Sequence, residues 1–423
     1  MKLLDVTELN FATIVNPGEC VAWGQAGAEP LALTRALMSQ RAAVGRFCAF
    51  IGASWYDTVD PAFADSVEFT SYGGAGRNRL LAKAGLLEVI PCHYSQLGAL
   101  IRSGQLKIDV LLIQVARSSR GSGYSLSVAH EYLVAAIDAA RVVVAEINDQ
   151  APWTHGERSV SENDIDIAVQ TSRSILAPQS VAPSLADLAI AGRVAGLIDD
   201  GSTLQFGIGA LPEAILAGLS AHRNLGIHTG ALVDGAARLA TSGVITNRLK
   251  SIDRGVTIAG VMMGGRTTFD YAHENESVQF RSVDYTHSQA VLARIECFVA
   301  INSAVEVDLT GQINAEVAGG VYVGAVGGAL DFLRGAHQSK GGLPIVALTS
   351  TLGASASPVS RIVARLGGPV STPRCDAGVI VTEHGVADLR GLSLNRRVSR
   401  MLQIADPRFR SSLESSTAIL ERG

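Results

Sequence analysis

The sequence predicts an α/β protein made of two open domains with mainly parallel sheets, and three observations lead there. Apolar, β-branched runs alternate with helical patterns almost throughout, the order expected when each crossover helix returns the chain to a parallel sheet. At 423 residues the chain is too long for one compact core, which favours two domains. Between residues 164 and 184 the pattern weakens, and Pro178 and Pro183 interrupt regular structure. The boundary therefore falls there, giving domains at residues 1–183 and 184–423.

Residues 108–115 read as a strand apolar on both faces, as a buried parallel strand is. A polar Gly/Ser loop follows. Residues 127–140 place apolar side chains at helical spacing, and 141–147 return as a strand, which completes a βαβ unit. Ser184, with Asp187 three residues on, caps a helix running to about Asp200, and Gly201 ends it. Further strands read at 202–206, 256–262, 297–301, 343–348 and 377–381. The 44 glycines imply tight turns and close backbone approaches.

Hydrophobic residues make up 47% of the chain and charged residues 17%, with a mean hydropathy of +0.25, so disorder is excluded. So low a charge also suggests surface buried in a homodimer or higher homo-oligomer. A net charge of −4 gives no footprint for nucleic acid or an anionic membrane. The five scattered cysteines contain no C-x-x-C pair, and the nine histidines show no H-x-x-x-H or H-x-H spacing, so no metal site is expected. A reducing cytoplasm is the expected setting. No apolar run reaches the roughly 20 residues needed to cross a bilayer.

Four segments carry candidate chemistry. In Gln205-Phe206-Gly207-Ile208-Gly209-Ala210-Leu211-Pro212-Glu213 a strand leads through two glycines into a helix, so the backbone at Gly207 and Gly209 is a candidate oxyanion site; a plain strand-to-helix turn accounts for it equally well. It is no dinucleotide fingerprint, because Pro212 stands where the third glycine belongs. In the glycine-rich stretch 319–332, Gly324, Val326, Gly327 and Gly328 are candidates to lie against a phosphate- or pantetheine-bearing ligand, with Lys340 as its cation, the bland reading being a surface loop.

The segment 225–235 holds His228 and Asp234, which by themselves read as a core histidine and a turn or cap aspartate. In 381–391, Glu383, Asp388 and Arg390 end a buried strand, where a ligand site and a salt-bridge network are equal readings. Residues 71–79, with Gly73, Gly74, Gly76, Arg77 and Arg79, read as a mobile surface loop, with capture of a substrate carboxylate as the alternative.

Together these segments resemble the acetyl-CoA hydrolase/transferase family, the group of 4-hydroxybutyrate and related acyl-CoA:carboxylate CoA-transferases. The resemblance runs through 204–212, Ile301-Asn302-Ser303-Ala304-Val305-Glu306-Val307-Asp308-Leu309-Thr310-Gly311-Gln312, the Gly-Gly-x-Leu-Asp-Phe stretch, 381–391 and 404–410, and more loosely through 108–115 and 146–156. It implies two related domains with the active site in the cleft between them, oligomeric assembly, and coenzyme A thioesters as substrates with no permanently bound cofactor. It also implies a glutamate nucleophile that forms an acyl-enzyme anhydride.

At the matching position this chain has Gly230, which has no side chain to form one. Asp234 matches the family's aspartate, and Glu316 and Glu383 are further carboxylates in family-like segments; Ala329 stands where the family's glycine loop has glutamine. The leading expectation is an enzyme that binds acyl-CoA and lets water or a small carboxylate or amine attack the thioester directly. His228 and Asp234 are its catalytic candidates, with Gly207 and Gly209 as oxyanion donors. The competing expectation is a catalytically silent acyl-CoA-binding protein or partner subunit.

Overall fold

In a computed structural model of the chain, residues 1–118, 123–178, 181–353 and 357–420 are described, with side chains to residue 416. Residues 119–122 of the polar Gly/Ser loop, and Gln179 and Ser180 of the proline-bearing stretch, lie outside them.

The first half builds a parallel sheet in the order Lys2–Leu4, Ile167–Thr171, Val142–Asn148, Val110–Arg117, Cys20–Trp23, Phe47–Ile51, Val67–Ser71, Leu87–Val89. Its central strand Val110–Arg117 is buried up to its last residue, as its unbroken apolar run dictates. The second half builds a six-stranded sheet in the order Gly226–Ile227, Thr203–Phe206, Phe298–Asn302, Leu343–Ala347, Val379–Thr382, Gly385–Asp388, parallel except for its last pair. One continuous apolar core joins the halves: it includes Leu111 and Ile113 from the first sheet and Leu204, Ile301 and Val381 from the second. Separate clusters cover the outer face of each sheet.

Three expectations need correction. The stretch 127–140 becomes helical only at Leu133–Ala139, because Ser127 and Glu131 take positive φ (56° and 35°) and fold the preceding residues into turns. The expected strand at 256–262 is broken at Gly260 into Thr257–Ala259 and Val261–Met262. Neither piece joins the large sheet; the first pairs with Val278–Phe280, which pairs in turn with His155–Gly156 of the other half. The helix Leu185–Ala195 starts on the expected capping box of Ser184 and Asp187 but ends at Gly196, short of Asp200. Among the described residues no helix is long and apolar enough to cross a membrane.

Candidate active site

Strand ends from both halves converge where the halves meet. After Val67–Ser71 the chain passes through Gly73 and Gly74, whose bare backbone lies against the glycine stretch of the other half: Gly74 N–H donates to the Gly324 carbonyl at 2.8 Å, and a Cβ on Gly73 would lie 2.5 Å from that of Ala325. Tyr94 N–H donates to the Gly327 carbonyl at 3.0 Å, and the Asp331 carboxylate accepts from the Ser95 amide and hydroxyl at 3.1 and 2.8 Å. The segment from Gly324 to Gly328 is therefore packed against the first half, and the buried Gly73 and Gly74 belong to that junction instead of to a mobile loop. Arg77 turns to the Val59 carbonyl and Asp60 of its own half, and Arg79 is exposed.

Gly230 follows the strand Gly226–Ile227, and its carbonyl accepts from the amides of Gly260 and Val261 at 2.9 and 3.0 Å. A side chain at Gly230 would start out crowded against a neighbouring ring. A Cβ on Gly230 would lie 3.1 Å from both Cε1 and Nε2 of His287, and a Cβ on Gly328 only 2.5 Å from that Nε2. The imidazole thus sits between two glycines, with the rings of Phe332 and Tyr94 at 4.5 and 4.9 Å between centroids.

Hydrogen bonding assigns its tautomer. The Thr286 hydroxyl donates its proton to the Ser282 carbonyl at 3.0 Å, so at the 2.8 Å contact His287 Nδ1 is the donor. Nε2 is left as a bare lone pair, and among the described residues no hydrogen-bond partner meets it. Burial lowers the ring's pKa to about 3, so it is neutral.

Beneath it lies a polar cluster. Glu131 Oε2 accepts from the Tyr94 hydroxyl and from Gln25 Nε2, and Gln25 Oε1 accepts from the Tyr72 hydroxyl at 2.6 Å. Glu131 Oε1 is buried without a partner. Burial raises this carboxyl to about 7, against the lowering pull of the Tyr94 and Gln25 hydrogen bonds.

The candidates named from sequence are placed differently. His228 is wholly buried, its Nε2 held 3.1 Å from the Thr286 carbonyl and its ring beside Tyr285 and Phe298, and burial lowers it to about 3. It is a core histidine, sealed from any substrate. Asp234 Oδ1 accepts from the Gly265 and Thr268 amides and the Thr268 hydroxyl at 2.9, 3.0 and 2.6 Å, capping the helix Arg266–Ala272.

The Gly207 amide is used in the sheet, donating to Ile301 O at 3.1 Å, so it cannot serve an oxyanion. Gly209, at φ +113°, does face a cavity of about 470 Å³ that Ile208, Ala210, Asp234 and Trp55 also line. Lys340 is separated from Gly328 by the ten-residue helix Ala329–Gln338, about 15 Å at 1.5 Å per residue, and its ammonium lies 3.5 Å from Glu296; it cannot neutralise a phosphate held at that loop.

Glu316 braces the glycine stretch, accepting from Ser371 and Tyr322 hydroxyls at 2.7 and 3.0 Å. Glu383 accepts from the Ser350 amide and hydroxyl at 2.8 and 2.7 Å, while Asp388 pairs with Arg390 at 2.8 Å, so these three do not form one network. Among the described residues no group of three or more His, Cys, Asp or Glu side chains is placed to hold a metal ion.

Sequence reasoning missed His287, Glu131, Tyr94 and Gln25. Each lies in a segment with no local motif, and only the fold brings them to Gly230.

Comparison with known proteins agrees with this frame. The models for the acetyl-CoA hydrolase/transferase N-terminal and C-terminal domains match residues 2–184 and 264–417. The 4-hydroxybutyrate coenzyme A transferase of Clostridium kluyveri is 39% identical over 345 residues, 81% of this chain and 79% of that protein. The crystal structure of RipA from Yersinia pestis superposes with a TM-score of 0.93 at 30% identity, covering 99% of this chain and 98% of that one. A 4-hydroxybutyrate CoA-transferase structure from Porphyromonas gingivalis gives 0.82 at 31% identity, covering 100% and 98%. With both family domains matched and the same two-sheet architecture, this chain belongs to the acetyl-CoA hydrolase/transferase family.

Proposed function

We propose that this protein is an enzyme acting on a coenzyme A thioester held where the two sheets meet, without a glutamyl intermediate at position 230. The thioester is either hydrolysed or passed to a small carboxylate or amine. The observation that carries the reading is Gly230 itself: the position that the motif match gives to the nucleophile has no side chain, and the His287 ring lies 3.1 Å from where its Cβ would be. The hydrogen bonds that hold Gly324 and Gly327 to Gly74 and Tyr94 fix this half-buried stretch, with Val326 and Gly328 in it, at the junction of the two halves, which supports it as the coenzyme A contact. The first-turn amides of the helix Ala210–Gly218 are better oxyanion donors than Gly207, since a helix start has no internal partners for them. Coenzyme A enters as substrate, and the chemistry calls on no resident cofactor. Five free thiols and the low charged fraction support a cytoplasmic homo-oligomer.

Gly230 equally motivates a second reading, a silent acyl-CoA-binding protein or partner subunit. Mass spectrometry of products from acetyl-CoA, alone and with small carboxylates and amines, separates the two. Free coenzyme A, a new acyl-CoA or an acylated amine is expected. Binding with no product under any condition leaves the silent binder.

A further inference from the structure

We propose that His287 is the catalytic base of a direct thioester hydrolysis, activating a water molecule that reaches Nε2 from the cleft past the half-buried Gly230 and Gly328. The inference rests on the reading that this cleft holds a coenzyme A thioester, and deepens it by naming both reaction and residue. The base is built by three contacts. Thr286 gives its own proton to Ser282 and so fixes Nδ1 of His287 as donor; the lone pair on Nε2 then points where both neighbouring residues lack side chains. Any residue larger than glycine at 328 would put a Cβ 2.5 Å from Nε2. The Thr286 contact holds the ring as the carboxylate holds histidine in a hydrolase triad, though with a neutral partner.

The surroundings select the nucleophile. The neighbours of the ring are Phe332, Tyr94 and Thr286, and the Tyr94 and Thr286 hydroxyl protons are already given to Glu131 and Ser282. Among the described residues no lysine or arginine side chain hydrogen-bonds to Tyr94 or Thr286, so the neighbours of the ring bring no cation to hold an acceptor carboxylate. A bare lone pair repels such an anion further. A neutral nucleophile fits, and water is the smallest.

In the step, Nε2 takes a proton from water as the oxygen bonds to the thioester carbonyl carbon. The carbon–sulfur bond then breaks, and the coenzyme A thiolate takes that proton back from Nε2–H. The products are a free carboxylic acid and coenzyme A, with no change in oxidation state. The burial that keeps the ring neutral also makes it a weak base, so its contribution sits near the lower end for a positioned base, about 100-fold.

The test uses the full chain with acetyl-, butyryl- and succinyl-CoA in ¹⁸O-labelled water. One labelled oxygen is expected in the released acid and none in the protein, with no acceptor needed. His287→Ala is expected to release coenzyme A about 100-fold more slowly, to bind acyl-CoA within about threefold of wild type by calorimetry, and to regain turnover with added imidazole. His287→Gln, which keeps a polar group but takes up no proton, is expected to lose as much and to gain nothing from imidazole. Hydrolysis within about threefold of wild type in both variants, label in the protein, or turnover only with a carboxylate acceptor overturns the role of His287 and leaves the acyl-CoA reading standing. A wild-type protein that binds none of the three thioesters overturns that reading, and this inference with it.

Discussion

The turn through Gly207 and Gly209 and the pair Gly230 and Gly328 are two glycine sites beside neighbouring strands, and they use the missing side chain in opposite ways. At Gly209 the reason is torsional: φ is +113°, and a Cβ there would meet nothing within 4 Å. At Gly230 and Gly328 the reason is volume, because the His287 ring fills the space. The first site opens onto a cavity of about 470 Å³; the second is half-buried, bordered by the aromatic rings around His287 and backed by a polar cluster. An empty-looking position in a sequence is thus either backbone freedom or room kept for a residue from elsewhere.

The largest expected effect sharpens that contrast through pH. Glu131 is titratable and buried on the Gly230 side, with a folded-state pKa raised from 4.5 to about 7. Its contribution to stability is complete below the unfolded value and is lost as pH rises through about 7. The shift corresponds to about 3 kcal/mol at most. Melting followed from pH 5 to 8 is expected to show wild type losing stability relative to Glu131→Gln by up to that amount. Parallel curves would mean that the carboxyl is not protonated in the folded protein.

Next in size is Gly328→Ala. Its new Cβ must displace the His287 ring, and if that ring is the base, release of coenzyme A falls about 100-fold while the fold is kept. Gly209→Ala should act on the other account, through backbone strain of roughly 1 kcal/mol. Should the two variants lose activity equally, the distinction between volume and torsion fails.

A third, smaller effect is a coupling. Gly230→Glu crowds His287 and is expected to cost about 1–3 kcal/mol by overpacking. In the double variant with His287→Ala the crowding is gone, so a double-mutant cycle on melting should return a coupling of about 1–2 kcal/mol. Additive losses would show that the glutamate side chain leaves the pocket by another route.

These outcomes bear on what a sequence discloses. The parallel strands were legible because burial on both faces leaves continuous apolar runs, as in Val110–Arg117 and Val379–Thr382. The break at Gly260 was not, since it follows from pairing with Val278–Phe280 and, through it, with the other half. Motif matching found Gly230 and the glycine stretch, which report backbone shape. It favoured His228 as the nearest histidine in sequence, while the histidine beside Gly230 in space is His287, 57 positions later along the chain. Local reading cannot tell which of two buried histidines borders Gly230 in space; the fold sets the His287 ring against Gly230 and Gly328 and the His228 ring against Tyr285 and Phe298.

Asp234 gives the smallest and most discriminating prediction, because it stands on the rim of the Gly209 cavity yet close in sequence to Gly230. Its Oδ1 is committed to three donors at the start of the helix Arg266–Ala272, so its work is capping. Asp234→Ala removes that acceptor and is expected to cost about 1 kcal/mol, the usual value of a helix cap, read as a lower melting temperature. Turnover per folded molecule should stay within about twofold of wild type, since no substrate atom needs an oxygen already shared among a hydroxyl and two amides. A hundredfold fall in turnover at unchanged stability would instead move the chemistry from the half-buried site at Gly230 to the open cavity at Gly209. The amides at the start of the Ala210 helix would then serve their oxyanion beside the Asp234 carboxylate instead of with His287, and the division between the two glycine sites would reverse.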